Sequence, residues 1–228
     1  MSVTTGLWLV RHAPVIDPEG RDPARKAYGH LDVSADVSDS AWLARVADCL
    51  PPDALWITSH LKRTKETAAA LREIMTPRPD SPVAEDPDLA EQHFGHWQGL
   101  GYEAIATWQD EQSERFWANP AREPPPGGES FESQLRRTTA AIDRLLHHHG
   151  GREIVVVVHG GTVRAALGRA MELTPEQALA FEVDNLSITH LRHIEPDPAE
   201  AKFLTARGVW RVHVTNLSLR YPDFSTRG

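Results

Sequence analysis

Four consecutive valines close the stretch "EIVVVV", residues 153–158, and no other feature of the sequence restricts the fold as much. A strand with one face in water alternates apolar and polar residues. An unbroken β-branched run belongs instead to a strand covered on both faces, as in a parallel sheet flanked by helices. Two further apolar runs share that character, "GLWLV" (6–10) and "ALWIT" (54–58). Helical pattern follows the second of these from Leu61 to Met75, and follows the valine run from Thr162 to Met171. Strand and helix alternating at this spacing predict an α/β protein, a three-layer α/β/α sandwich with a mainly parallel central sheet.

The remaining pattern supplies the outer layers. "SDSAWLARVADCL" (38–50) and "ESFESQLRRTTAAIDRLLHHH" (129–149) carry apolar residues at helical spacing and read as amphipathic helices. "TPEQAL" (174–179) places a capping threonine, a proline at the first helical position and a glutamine three residues after the cap, which together mark a helix start. "LSITHLRHI" (186–194) and "GVWRVHV" (208–214) alternate and predict an antiparallel pair at a sheet edge. The Pro-rich pieces 76–82, 122–128 and 195–198 are too short for free linkers. We therefore expect one domain over residues 1–220 and a loose tail over 221–228.

Charge narrows the function. The 24 basic and 32 acidic residues leave a net charge of −8, which argues against nucleic acid or an anionic membrane surface as partner. No apolar run approaches the ~18 residues of a membrane span. The lone cysteine, Cys49, rules out an intramolecular disulfide and fits a reducing compartment, so a cytoplasmic location is the expectation. Any anionic ligand must then be held by arginines and histidines that folding gathers locally.

Such residues stand where they would meet. In open α/β sheets, ligands bind beyond the carboxyl ends of the strands. Arg11 and His12 follow the first apolar run, Ser59, His60 and Arg63 the second, and His159, Gly160 and Gly161 the third. Guanidinium forks match phosphate oxygens. The helices starting after Ser59 and His159 would add N-terminal N–H groups, and the glycine pair would permit close approach of backbone. No Gly-Lys-Ser/Thr sequence is present, so this is not a Walker loop.

The motifs "LVRHAP", "TSHLKRTKETA", "LAEQHFGHWQG", "GGES" and "VVVVHGGTVRAAL", in this order from about Leu7 to Leu191, resemble the histidine phosphatase superfamily, also called phosphoglycerate mutase-like. The resemblance implies a metal-independent phosphatase without cofactor that acts on a small phosphorylated substrate through a phosphohistidine intermediate. His12 matches the nucleophile, Arg11 and Arg63 the phosphate-binding arginines, His159 the second histidine of the phosphate pocket, and Glu91 the proton donor. Gly160 falls beside the same pocket. The chemistry agrees: an imidazole with a pKa near 6.5 is largely unprotonated at pH 7 and is a competent nucleophile toward phosphorus. Glu91 can protonate a leaving alkoxide if apolar neighbours such as Phe94 and Trp97 raise its pKa.

Several positions depart from the family pattern. Ala13 replaces a glycine, His60 a proline, Gln98 a glutamate, and Pro14 and Val15 replace polar residues. His60 either touches substrate or lies in solvent. "YGHLDVSAD" (28–36) resembles a segment of the alpha-ribazole phosphatase branch, which makes Tyr28 and His30 candidates for the pocket wall, with a plain surface turn as the alternative. His147 to His149 read as basic residues ending a helix rather than as metal ligands. Trp97, Trp108 and Trp117 read as packing residues before stacking ones. A phosphoglycerate mutase-like phosphoryl transferase and a non-catalytic phospholigand-binding module are the rival functions. The physiological substrate and the oligomeric state are not legible in the residues.

Overall fold

The computed structural model of the chain describes residues 2–20, 26–108, 110–197 and 208–220. The expected tail at 221–228 lies outside the described residues. Six strands form one sheet: β1 (Val3–Arg11), β2 (Leu55–Thr58), β3 (Val83–Glu85), β4 (Glu153–Val158), β5 (Ile188–Glu195) and β6 (Val209–Leu217), in the order β3-β2-β4-β1-β5-β6. The β1–β4, β2–β4 and β2–β3 pairs are parallel, and β1–β5 and β5–β6 are antiparallel. The fold class is thus the α/β sandwich that the valine run implies. Of the antiparallel pair, only β6 lies at the edge; β5 is hydrogen-bonded on both sides.

The valines divide between two cores. Val155 and Val157 face the cluster built with α1 (Ser40–Ala47) and α2 (Lys62–Ile74). Ile154, Val156 and Val158 face the cluster built with α5 (Phe131–His149) and α6 (Gly160–Met171). Each side chain from Ile154 to Val158 is buried because both faces are roofed by helices, so an alternating polar residue has no place among them. The short α7 (Pro175–Leu179) begins at the Thr174 capping box, with the threonine hydroxyl and the Gln177 side chain exchanging hydrogen bonds with each other's backbone N–H groups.

Three elements were not legible in advance. β3 has only three residues and follows a Pro-rich loop, and α3 (Tyr102–Ala106) and α4 (Glu111–Ala118) lie in the connection between β3 and α5. Trp97 is buried in a small cluster of that connection with Ala27, Ile105 and Phe116, and Trp117 stacks on it with centroids 5.9 Å apart. Trp97 is therefore a core residue, whereas Trp117 and Trp108 are both exposed, Trp117 stacking on Trp97 and Trp108 donating its indole N–H to Asp110. His147 to His149 form the last turn of α5 before Gly150. Among the described residues no group of three or more His, Cys, Asp or Glu side chains is arranged to hold a metal ion, and no helix is long and apolar enough to cross a membrane.

Candidate active site

Register brings the two histidines together. Arg11 on β1 pairs with Val158 on β4, so the next residue of each chain segment, His12 and His159, meet just beyond the sheet with ring centroids 5.2 Å apart. The His12 N–H continues the ladder to the Val158 carbonyl, and Ser187 and Leu186 bond the backbone of Arg11 from the far side. On the neighbouring strand, Thr58 pairs with Val157, which sets Ser59 beside His159; the Ser59 Oγ lies 2.8 Å from His159 Nε2.

The nucleophile candidate has a defined tautomer. His12 Nδ1 donates to the Ala13 carbonyl at 2.7 Å, so the lone pair resides on Nε2, where Arg63 Nε donates to it at 3.3 Å. Burial first, then the charges of Arg63 and Arg11, hold the His12 pKa well below 6.5. His159, fully buried, is depressed likewise, by burial first and then by Arg63. Both imidazoles are thus neutral at pH 7. Ala13 is no misfit: among the described residues the positive-φ residues other than glycine are Glu172, Leu186 and Asn216, and the Ala13 N–H is accepted by the buried Thr67 hydroxyl at 2.9 Å.

The two arginines are held differently. Arg63, 1% exposed, spends its two terminal nitrogens on the Gly29 and Leu31 carbonyls at 2.7 and 2.8 Å and presents its Nε edge to His12. Burial lowers its pKa to about 10, so it stays charged at neutral pH. Arg11 donates from Nη1 to the Val183 carbonyl, while its Nε and the His159 Nδ1 are buried polar atoms without a hydrogen-bond partner in the protein. The two terminal nitrogens of Arg63 are thus held by backbone carbonyls, whereas Arg11 is anchored through Nη1.

Glu91 lies at the start of α6. Its Oε1 accepts from the Gly161 N–H at 3.1 Å and from the Gln134 amide at 3.1 Å. The helix N-terminus thus receives a carboxylate, and the Gln134 amide adds a second polar donor to it. The N-terminus of α2 is likewise occupied, since Asp32 accepts from the Lys62 N–H at 2.6 Å. At Gly160 a Cβ would be in ordinary van der Waals contact with Arg11 Nε and Arg164 Nη1, each at 3.7 Å.

The remaining candidates are placed as follows. Tyr28 donates its hydroxyl to Asp17, which also pairs with Lys26 at 2.6 Å. His30 donates from Nε2 to the Glu91 carbonyl at 2.7 Å, and its ring contacts those of His93 and His60 at 4.9 and 6.1 Å. Gln98 accepts from the His30 N–H at 2.7 Å. Residues that sequence reasoning missed surround Glu91. Arg137 donates to the carbonyls of Asp88, Ala90 and Glu91, each at 2.8 Å, and Thr162 donates to those of Leu89 and Ala90. Tyr102 and Arg164 interact electrostatically with Arg11, and Tyr102 with Glu91.

The family model of the histidine phosphatase superfamily (branch 1) matches residues 7–204. A 2,3-bisphosphoglycerate-dependent phosphoglycerate mutase of Gloeobacter violaceus is 34% identical over 58% of the chain and 61% of its own length. The chain thus spans less than two thirds of that relative. A phosphoglycerate mutase-like protein of Arabidopsis thaliana is 33% identical over 76% of the chain and 74% of its own length. In fold, the chain is similar to a mycobacterial glucosyl-3-phosphoglycerate phosphatase, with a TM-score of 0.75 at 24% identity, over 96% of this chain and all of that one.

Proposed function

The chain belongs to the histidine phosphatase superfamily (branch 1), and on that premise we propose that it is a metal-independent phosphatase that hydrolyses a small phosphate monoester through a phosphohistidine on His12. One observation carries this reading. His12 Nε2 keeps its lone pair at neutral pH and lies beside Arg63, with Arg11 and His159 completing the surround.

In the first step Nε2 attacks phosphorus in line while the bond to the ester oxygen breaks. Arg11, Arg63 and His159 take the charge on the non-bridging oxygens, with Gly160 next to the Arg11 and Arg164 guanidiniums. Arg63 is held ready by the Gly29 and Leu31 carbonyls, so little reorganisation is needed when phosphate replaces its contact with His12. Glu91 is the group placed to give a proton to the departing oxygen. In the second step its carboxylate takes a proton from water, which attacks the phosphohistidine and releases inorganic phosphate and free His12.

The relatives by sequence carry mutase names and the neighbour in fold a phosphatase name, so both outcomes of the phosphoenzyme need testing. Hydrolysis is preferred because the extended insertions and clamping motifs of phosphoglycerate mutases are not evident in the sequence. The experiment is phosphate release from p-nitrophenyl phosphate and a panel of alkyl phosphates, with and without 3-phosphoglycerate as acceptor. We expect release of inorganic phosphate and its loss in His12→Ala. Transfer to the acceptor in preference to water would establish the mutase, and absence of any turnover a binding module.

A further inference from the structure

The turn Tyr28–Leu31 joins the two halves of the site. Gly29 sits in it with φ 50°, and a Cβ there would come within 2.6 Å of Gln98 Oε1. The carbonyls on either side of His30 accept the two terminal nitrogens of Arg63, and the side chain of His30 reaches the opposite way, to the Glu91 carbonyl. Gln98 fixes the backbone of His30 from a third direction, which gives the glutamine at this departure position a use. Three residues, Gly29 to Leu31, thus connect the guanidinium beside the nucleophile to the backbone of the carboxylate.

We propose that His30 is a positioning residue for proton transfer: through its Nε2–H bond to the Glu91 carbonyl it sets the carboxyl group of Glu91 relative to the phosphate held by Arg63, and it does not itself bind substrate. The alternative use, as a pocket wall, is less well supported because its donor nitrogen is already committed at 2.7 Å. The opposing arm of the clamp is Arg137, which donates to the same carbonyl from α5. A carbonyl held from two sides fixes where its side chain starts, and a misplacement on the order of 1 Å costs up to ~10²-fold in rate. The proposal rests on Glu91 being the proton donor.

The test compares formation of the phosphoenzyme, in single turnovers, from an alkyl phosphate and from p-nitrophenyl phosphate, whose leaving group departs without a proton. His30→Phe keeps an aromatic ring and removes the donor; His30→Gln keeps an N–H at the same distance along the side chain. We expect His30→Phe to slow the alkyl phosphate ~10–10²-fold and the nitrophenyl ester less than ~3-fold, with His30→Gln restoring most of the loss. Glu91→Gln should show the same dependence on leaving group, and adding His30→Phe to it should cost little more, since both changes act on one proton transfer. Equal loss with both esters in His30→Phe, or no loss, overturns the positioning role while leaving-group dependence in Glu91→Gln leaves the acid assignment standing. Absence of that dependence in Glu91→Gln overturns both. Turnover of p-nitrophenyl phosphate by His30→Gln reports that the variant is folded.

Discussion

Oε1 of Glu91 and the backbone N–H of Gly161 are joined by a 3.1 Å hydrogen bond, and the bond exists only because residue 161 has no side chain. A Cβ on Gly161 would stand 2.3 Å from that oxygen and 2.5 Å from Gln134 Oε1. The atoms it would strike are side-chain ends, so the backbone can survive the substitution while the carboxylate cannot stay where it is. For Gly161→Ala we expect a folded protein, destabilised by ~1–3 kcal/mol as for an overpacked site, whose turnover of alkyl phosphates falls at least ~10-fold. Thermal unfolding and kcat on an alkyl phosphate check this. Unchanged kcat in the folded variant would mean that the position of Glu91 is immaterial.

The buried histidines make stability depend on pH. His12 and His159 are held well below 6.5 by burial first, and His190, stacked on Trp8 at 3.7 Å, is lowered to about 4, again by burial first. In the unfolded chain all three titrate near 6.5. Their folded values are depressed, so below pH 6.5 the unfolded state binds more protons than the folded one. Their part of the stability is complete above 6.5 and is lost as pH falls toward the folded values, about 4 for His190. The Tm should therefore drop between pH 7 and pH 5, and His190→Phe should flatten that drop. A Tm that is level or rising over this interval contradicts the assignment.

Chelation separates guanidinium from metal catalysis. With Arg11, Arg63 and His159 taking the phosphoryl charge, no step requires a divalent ion. Dialysis against EDTA should leave kcat unchanged. Loss of activity restored by a divalent ion would move the site to metal-assisted hydrolysis.

The strand ends were legible because they depend on local sequence: an apolar run, the residue at which it stops, and the rule that parallel ends lie side by side. His12, Ser59 and His159 follow from that alone. What holds Glu91 was not legible, because Gln134 and Arg137 reach it across more than forty residues of chain. A signal existed for one of them. The buried stripe of α5 runs through Phe131, Gln134, Thr138, Ala141 and Leu145, so a glutamine falls on the apolar face at helical spacing, and a fully buried amide there needs a polar partner. The connection holding α3 and α4 lacks such periodicity; only Asp110, which caps α4 by accepting from the Ser113 N–H, marks a helix start in it.

The central claim is a covalent bond between phosphorus and His12 Nε2, and rapid acid-free quenching of a single turnover with phosphorus-labelled p-nitrophenyl phosphate measures it most directly. We expect label on the protein within the burst, stable in base and lost in acid, mapped by peptide mass to His12 and absent in His12→Ala. Release of labelled phosphate with no protein-bound label at any time, or label retained in His12→Ala, would contradict it.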